Sequence, residues 1–186
     1  LWSGTKDYKT DLRNFEEAGV SKVVLEDVAA KLRDPAEVAN SRQFPYRFLT
    51  AFLANKSLTF GSTLEAALEL SLQNVPKLDG RTLVLVDTSG SMDMALSERS
   101  QATRTQVAAL FGVALGKTGD VDVVLYATTS MPFKVNHAQS TLRLLDEVSA
   151  LNGAVGHGTR THEAVMANLH TSHKRVIILT DEQSRD

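Results

Sequence analysis

One stretch constrains the fold of this chain more than any other: an apolar run that ends in a carboxylate and is followed by alternating hydroxyls. The run covers residues 82–86, the carboxylate is Asp87, and the hydroxyls belong to Ser89 and Ser91. A β-strand with this ending places three oxygen donors in the loop at its C-terminal end, where open α/β sheets bind ligands. Oxygen donors suit Mg²⁺, Mn²⁺ or Ca²⁺ rather than softer metals. The stretch therefore predicts a divalent-cation site.

A second strand-like run supplies further donors downstream. Residues 175–180 form an apolar run that ends in Asp181, and a loop flanked by glycines carries Thr159 and Thr161 before it. Taken alone, Asp87 is equally typical of a turn at a strand end. The donors follow one another in order, each in the expected context, which favours one shared site over separate turns.

The pattern Asp-x-Ser-x-Ser, then a loop Thr, then a strand-end Asp resembles the metal-ion-dependent adhesion site of von Willebrand factor A (vWA) domains. The resemblance implies that the ion is held by Ser89, Ser91 and Thr159, with Asp87 and Asp181 acting directly or through water. Thr159 is preferred to Thr161 because the family uses the first Thr of its Thr-x-Thr. Mg²⁺ is the expected ion, with Mn²⁺ and Ca²⁺ as alternatives, and an open coordination position would accept an acidic residue from a protein partner.

The chain divides into a helical part and an alternating part. Residues 1–78 have helical apolar spacing, with predicted helix starts at Ser21, Asp34-Pro35 and Pro45 and a capping box at Ser62–Glu65. Residues 81–186 alternate between strands and helices, which predicts a mainly parallel sheet covered on both faces. The predicted strands are 82–87, 121–127, a short edge piece at 131–135, and 175–180; the predicted helices are about 97–116, 138–150 and 161–170.

The expected fold is therefore α/β, with a helical-hairpin segment over 1–78 and a Rossmann-like vWA domain over 81–186. A full vWA domain would have two more strands and two more helices after residue 186. We therefore expect a fragment of a longer protein. The alternatives are a second copy or a completing segment over the apolar edge of strand 175–180, or a reduced domain of low stability.

Composition excludes several classes of protein. Without cysteine, disulfides and Cys-based zinc sites are excluded, which fits a cytoplasmic protein. No apolar run approaches the roughly 20 residues that span a bilayer. The net charge of −2 gives no overall electrostatic signature of nucleic-acid binding. We therefore expect a protein without a membrane span, whose RNA contacts, if present, are local.

The helical part of the sequence indicates one family among the proteins that contain vWA domains. Together with the strand that ends in Asp87, its segments resemble the Ro (TROVE) proteins, in which HEAT-like helical repeats form a ring closed by a vWA domain. The resemblance implies binding of small non-coding Y RNAs and a role in RNA quality control. It rests on residues 12–15, 34–35, 41–49, 64–68, 80–92 and 179–182. Charge alone selects the candidate RNA-contacting residues, which are Lys31, Arg33, Arg42 and Arg47.

Other functions compete with an RNA-binding role. The alternative is a metal-dependent protein-binding module that does not bind RNA. An enzyme is not expected, because no nucleophile and base are paired, although His157 and His162 flank the candidate site. The segment 112–118 has one residue too few for a P-loop and stands at the end of a predicted helix. His170 and His173 are expected to favour a helix C-terminus rather than to bind zinc.

Overall fold

The computed structural model describes residues 19–54, 58–98 and 100–182, except for the side chains of residues 58 and 59. The chain divides into two compact units, and the boundary in the sequence lies between Val75 and Pro76. The segment 12–15, which contributed to the resemblance to Ro proteins, lies outside the described residues.

The first unit is helical. Its elements are α1 (Lys22–Leu32), α2 (Pro35–Ser41), α3 (Pro45–Ala54), α4 (Leu58–Ser71) and a 3₁₀ turn over Leu72–Asn74. The Asp34 carboxylate accepts hydrogen bonds from the amides of Ala36 and Glu37, so Asp34 caps α2 with Pro35 at its first position. The starts predicted for α1, α2 and α3 are confirmed by these boundaries.

Helix α4 is the centre of the first unit, and α1, α2 and α3 each contact it. The capping box predicted at Ser62–Glu65 is wrong, because α4 already begins at Leu58 and runs through these residues. Phe60 is fully buried and Thr63 is 1% exposed, so packing extends the helix upstream of the polar pair. The buried core of this unit includes Leu32, Val38, Phe48, Leu49, Phe60, Leu64 and Leu68.

The second unit contains a four-stranded sheet with the order β3-β2-β1-β4. Its strands are β1 (Thr82–Asp87), β2 (Val121–Tyr126), β3 (Ser130–Phe133) and β4 (Arg175–Leu179). Strand β1 pairs in parallel with β2 and β4, and β3 is antiparallel to β2. This mainly parallel sheet confirms the predicted α/β class.

Helices cover both faces of the sheet. They are α5 (Arg104–Thr118), α6 (Thr141–Ala150) and α7 (Thr161–Asn168). On one face, Leu83 and Leu85 of β1 form a buried cluster with Tyr126 and with Ala164 of α7. On the other face α5 packs on β1 and β2, with α6 beside it. Because both faces are covered, all of β1 is buried, as expected for a central parallel strand.

The predicted helix at 97–116 starts too early. A short 3₁₀ turn spans Gly90–Asp93, and α5 begins only at Arg104. The reason is a capping box in which the Thr103 hydroxyl accepts from the Gln106 amide and the Gln106 side chain accepts from the Thr103 amide.

The P-loop-like segment 112–118 lies inside α5, so its glycines serve packing. A Cβ atom on Gly112 would lie 2.7 Å from Cγ2 of Val86, and one on Gly116 would lie 2.8 Å from Cγ2 of Val135. The absence of side chains at these positions lets α5 approach the sheet closely.

In the described part of the chain, β4 pairs only with β1, so its other side forms an edge of the sheet. Ile178 on this strand is 40% exposed. No helix among the described residues has the length and apolar character needed to cross a membrane.

Candidate functional site

The candidate site lies where the direction of strand order reverses. From β1 the chain adds β2 and β3 on one side and then places β4 on the other. The carboxyl ends of β1 and β4 therefore border a crevice, the position at which open α/β sheets bind ligands. Asp87 is the last residue of β1, and Asp181 follows β4 by two residues.

Asp87 is fully buried and bonded on both oxygens. Its Oδ1 accepts a hydrogen bond of 2.8 Å from the amide of Ser89, which is the turn that a strand-end Asp commonly forms. Its Oδ2 accepts a bond of 2.6 Å from the hydroxyl of Thr180, which follows β4. The carboxylate therefore serves as a turn former and also connects the loop after β1 to the end of β4.

Three further proposed ligands, Ser89, Ser91 and Asp181, are linked by contacts beside Asp87. The hydroxyls of Ser89 and Ser91 lie 3.4 Å apart, and the Ser91 hydroxyl donates to Oδ1 of Asp181 at 3.3 Å. Ser89 is 1% exposed, whereas Ser91 is partly exposed. The structure thus brings together four of the five residues proposed from sequence.

Thr159, the fifth, lies on a loop attached to the ends of both β1 and β2. The carbonyl of His157 accepts from the amide of Gly90, and the amide of Arg160 donates to the carbonyl of Ala127. Thr159 itself is 8% exposed. The loop that carries Thr159 is therefore bonded to the turn that carries the two serines, although no described hydrogen bond joins the Thr159 hydroxyl to the other four proposed ligands.

A glycine allows this loop to approach the sheet. Gly156 has a φ of +87°, which side chains with a Cβ rarely adopt, and a Cβ there would lie 2.6 Å from Oγ1 of Thr128. Thr128 in turn accepts a hydrogen bond from the amide of Gly158.

Arg104 is a site residue that the sequence analysis missed. Its Nη1 forms an ion pair with Oδ2 of Asp181, and the two side chains are 29% and 10% exposed. Nothing in the local sequence indicates this contact, because the two residues are 77 positions apart. The capping box of Thr103 and Gln106 is the only local signal, because it places Arg104 at the first position of a helix.

The donor set fits a hard divalent cation. Two carboxylates and three hydroxyls provide only oxygen atoms, which Mg²⁺ and Ca²⁺ prefer. Neighbouring ligands of an octahedral Mg²⁺ lie about 3 Å apart and those of Ca²⁺ somewhat farther, given their usual bond lengths. The contacts of 3.3 and 3.4 Å along Ser89, Ser91 and Asp181 are close to that spacing. No group of three or more His, Cys, Asp or Glu side chains that could hold a metal occurs among the described residues.

The histidines near the site are exposed. Both His157 and His162 face solvent, and no described hydrogen bond joins either ring to Ser89 or Ser91. His170 and His173 instead lie beyond the end of α7. The ring of His173 accepts from the amide of His170 and contacts Asp122 at 2.8 Å, so a turn and a carboxylate, rather than a helix terminus, account for this pair.

All four candidate RNA-contacting residues of the first unit are exposed. Lys31 lies in the last turn of α1, and Arg33, just after it, donates to Ser62 at 3.0 Å. Arg42 ends α2 in a left-handed conformation with a φ of +52°. Arg47, in the first turn of α3, lies over the ring of Tyr46 at 5.2 Å. Solvent exposure is compatible with RNA contacts at these positions.

Comparisons with known proteins point to one family. The TROVE domain family matches residues 10–110 of the chain. Among solved structures, the chain is similar to the Ro (RSR) protein of Deinococcus radiodurans, with 21% sequence identity and a TM-score of 0.61. The similarity covers 77% of this chain and 33% of that one, so the chain spans about a third of the length of that protein. No curated protein matches the chain.

Proposed function

This chain belongs to the TROVE family, and from that premise we propose that it is part of a Ro-type RNA-binding protein with a divalent-cation site of the vWA type. The match across residues 10–110 carries the RNA-binding part of the proposal. We further propose small non-coding RNA of the Y type as the ligand and RNA quality control as the role. A cytoplasmic location is consistent with the lack of cysteine.

The site at the ends of β1 and β4 supports the second part of the proposal. Asp87, Ser89, Ser91, Thr159 and Asp181 would hold the ion, Mg²⁺ being the expected one. When bound, the ion would supply a coordination position for a carboxylate of a protein partner, and such a buried contact can dominate the energetics of an interface. None of these residues is proposed to act as a nucleophile or as an acid or base, so the proposal is a binding protein rather than an enzyme.

The alternative is that this chain binds a protein partner through the ion and does not bind RNA. The contacts among the two carboxylates and the two serines support the cation site in this alternative without reference to the family, because they lie wholly in the second unit. The two functions respond differently to salt and to metal removal.

RNA binding by the chain separates the two functions. A mobility-shift experiment would use a structured small RNA with a single-stranded tail at two salt concentrations, with and without chelator. We expect binding that weakens at the higher salt concentration, because contacts to phosphates release counterions. Chelator should leave it unchanged, since the cation site serves protein partners. Lack of binding at low salt would contradict RNA binding by this chain and favour the protein-binding alternative.

Metal binding is tested separately, with Mg²⁺ in isothermal titration calorimetry. Ser91→Ala is the suitable site variant, because Ser91 is partly exposed and its loss should perturb the fold little. Ser100→Ala, in the loop before α5, is the matched control. Loss of Mg²⁺ binding in Ser91→Ala alone is expected, and equal binding by both variants would argue against the site.

A further inference from the structure

The ion pair between Arg104 and Asp181 places a fixed positive charge inside the candidate cation site. Nη1 of Arg104 pairs with Oδ2 of Asp181, and Oδ1 of the same carboxylate accepts from the Ser91 hydroxyl at 3.3 Å. Both oxygens of a proposed metal ligand therefore have a partner within the protein. A divalent cation that binds Asp181 directly would approach the guanidinium closely.

The backbone of Arg104 is held firmly in place. Arg104 is the first residue of α5, directly after Thr103, the N-cap residue that forms a capping box with Gln106. Its amide donates to the carbonyl of Met94 at 3.0 Å. Because the helix start is fixed in this way, the guanidinium contacts Asp181 from a rigid element, and only its side chain can move away.

We infer that Arg104 competes with the divalent cation for Asp181, an inference that rests on the cation site proposed above. The charges of Asp87, Asp181 and Arg104 sum to −1, and the two carboxylates alone would give the site a charge of −2. Cation affinity of oxygen sites rises with the number of charged ligands. Repulsion between a guanidinium and a divalent ion a few ångströms apart is strong where water is partly excluded. Cation binding should therefore displace the Arg104 side chain.

The structure offers space for the displaced side chain. A cavity of about 320 Å³ lies beside the ion pair, with Arg104 and Asp181 in its wall together with Met92, Leu96 and Phe111. The guanidinium could leave Asp181 by rotation of its own side chain, with α5 in place. The ion pair would then exist in the cation-free protein and be broken in the cation-bound protein.

The test compares Mn²⁺ binding, counted by electron paramagnetic resonance, and Mg²⁺ binding, measured by calorimetry, in the wild type and in Arg104→Gln. The control is Arg143→Gln, which makes the same change of charge on α6. We expect Arg104→Gln to bind the ions at least about tenfold more tightly, because one nearby like charge is removed. Arg143→Gln should bind as the wild type does.

Binding by Arg104→Gln alone, with none in the wild type, would support competition in its strongest form. Equal or weaker binding by Arg104→Gln would overturn it while the cation site itself stands. Lack of binding in both proteins would overturn the inference and the site together. If Arg104→Gln does not fold, the guanidinium resonance of Arg104 in the wild type decides: Mg²⁺ should increase its exchange with water, and an unchanged rate would overturn the inference.

Discussion

Asp87 combines a structural role with the proposed role in cation binding. Its two oxygens fix the Ser89 amide and the Thr180 hydroxyl, and the side chain is fully buried. Leaving the buried Ser89 amide without an acceptor costs about 1–3 kcal/mol. A substitution at Asp87 would therefore alter the fold and the site together. Ser91, which is partly exposed, separates the two effects.

At the opposite end of the sheet, Asp122 joins the starts of the strands. Its Oδ2 accepts from Nε of Arg81 at 2.8 Å and contacts Nε2 of His173 at 2.8 Å. The hydrogen bond from Arg81 is the main cause that lowers the pKa of Asp122 below its ordinary value of 3.8, against the opposing effect of burial. The folded state therefore favours the ionised carboxylate.

This shift predicts how stability depends on pH. A carboxylate whose pKa is lowered by folding stabilises the protein above its unfolded pKa of about 3.8, and that contribution is lost as pH falls through the folded pKa. Asp122→Asn should lower the free energy of unfolding at pH 7 by about 1 kcal/mol or less, because water screens a side chain that is 40% exposed. Urea unfolding at pH 7 and at pH 3 measures the difference.

The control for this prediction is Asp146→Asn, a matched change on the exposed side of α6. The stability difference between the wild type and Asp122→Asn should shrink at pH 3, whereas Asp146→Asn should remain close to the wild type at both values. A difference for Asp122→Asn that is constant with pH would mean that the pair with Arg81 contributes nothing through ionisation.

At the scale of elements, the close contact between α5 and β1 depends on Gly112. Alanine raises helix propensity by about 1 kcal/mol, but extra volume in a packed core costs about 1–3 kcal/mol. Because the new Cβ would lie 2.7 Å from the stiff, buried side chain of Val86, we expect the cost to exceed the gain. Gly112→Ala should therefore lower the free energy of unfolding of the second unit, measured by urea unfolding.

Gly61→Ala provides the matched comparison within α4. Among the described residues, the atom nearest to a Cβ at Gly61 is Cε2 of Phe52, at 4.0 Å. The helix-propensity gain then has no opposing clash, and this variant should be more stable than the wild type by up to about 1 kcal/mol. If Gly112→Ala were also more stable, the approach of α5 to the sheet would not depend on the missing side chain.

Local patterns predicted the elements whose signals are local. The apolar run before Asp87 predicted β1, and Asp34-Pro35 predicted the start of α2. The start of α4 was missed because burial of Phe60, a tertiary effect, extends the helix upstream of a polar pair that resembles a cap. The start of α5 was predicted at about residue 97, whereas the capping box of Thr103 and Gln106 begins the helix at Arg104.

The candidate site shows the same division between local and long-range information. Asp87, Ser89 and Ser91 are adjacent in sequence, and strand ends indicated Asp181, so the oxygen donors could be proposed from the chain alone. The partners of the carboxylates could not, because Arg104 and Thr180 reach them only through the packing of α5 and β4 on β1. The sequence thus predicted four side chains that lie together in the structure, and the structure adds the positive charge of Arg104 beside one of them.

For the whole molecule, the proposed RNA contacts and the proposed cation site belong to different units. The first unit carries the four candidate RNA-contacting residues, and the second carries the five proposed oxygen ligands. Each activity should therefore respond to changes in its own unit. Binding of RNA is the more revealing of the two, because its salt dependence counts the phosphates that the protein neutralises.

A variant with the four candidate RNA-contacting residues Lys31, Arg33, Arg42 and Arg47 changed to glutamine tests this assignment. Each phosphate contact on a single strand contributes about −0.7 to the slope of log K against log salt, so the slope should become shallower by up to about 3. Gel-shift titrations at several salt concentrations measure it. A control variant neutralises four exposed basic residues of the second unit, namely Lys77, Lys134, Arg143 and Lys174.

The two variants carry the same change in net charge, so a general electrostatic effect would alter their slopes equally. We expect a shallower slope for the first-unit variant alone, with weaker binding at low salt, because direct phosphate contacts are lost there. Equal changes in slope would show that RNA binding depends only on overall charge. A larger change in the control variant would mean that the RNA-binding surface lies on the second unit. Mg²⁺ binding should be the same in both variants, because none of the eight residues is a proposed ligand.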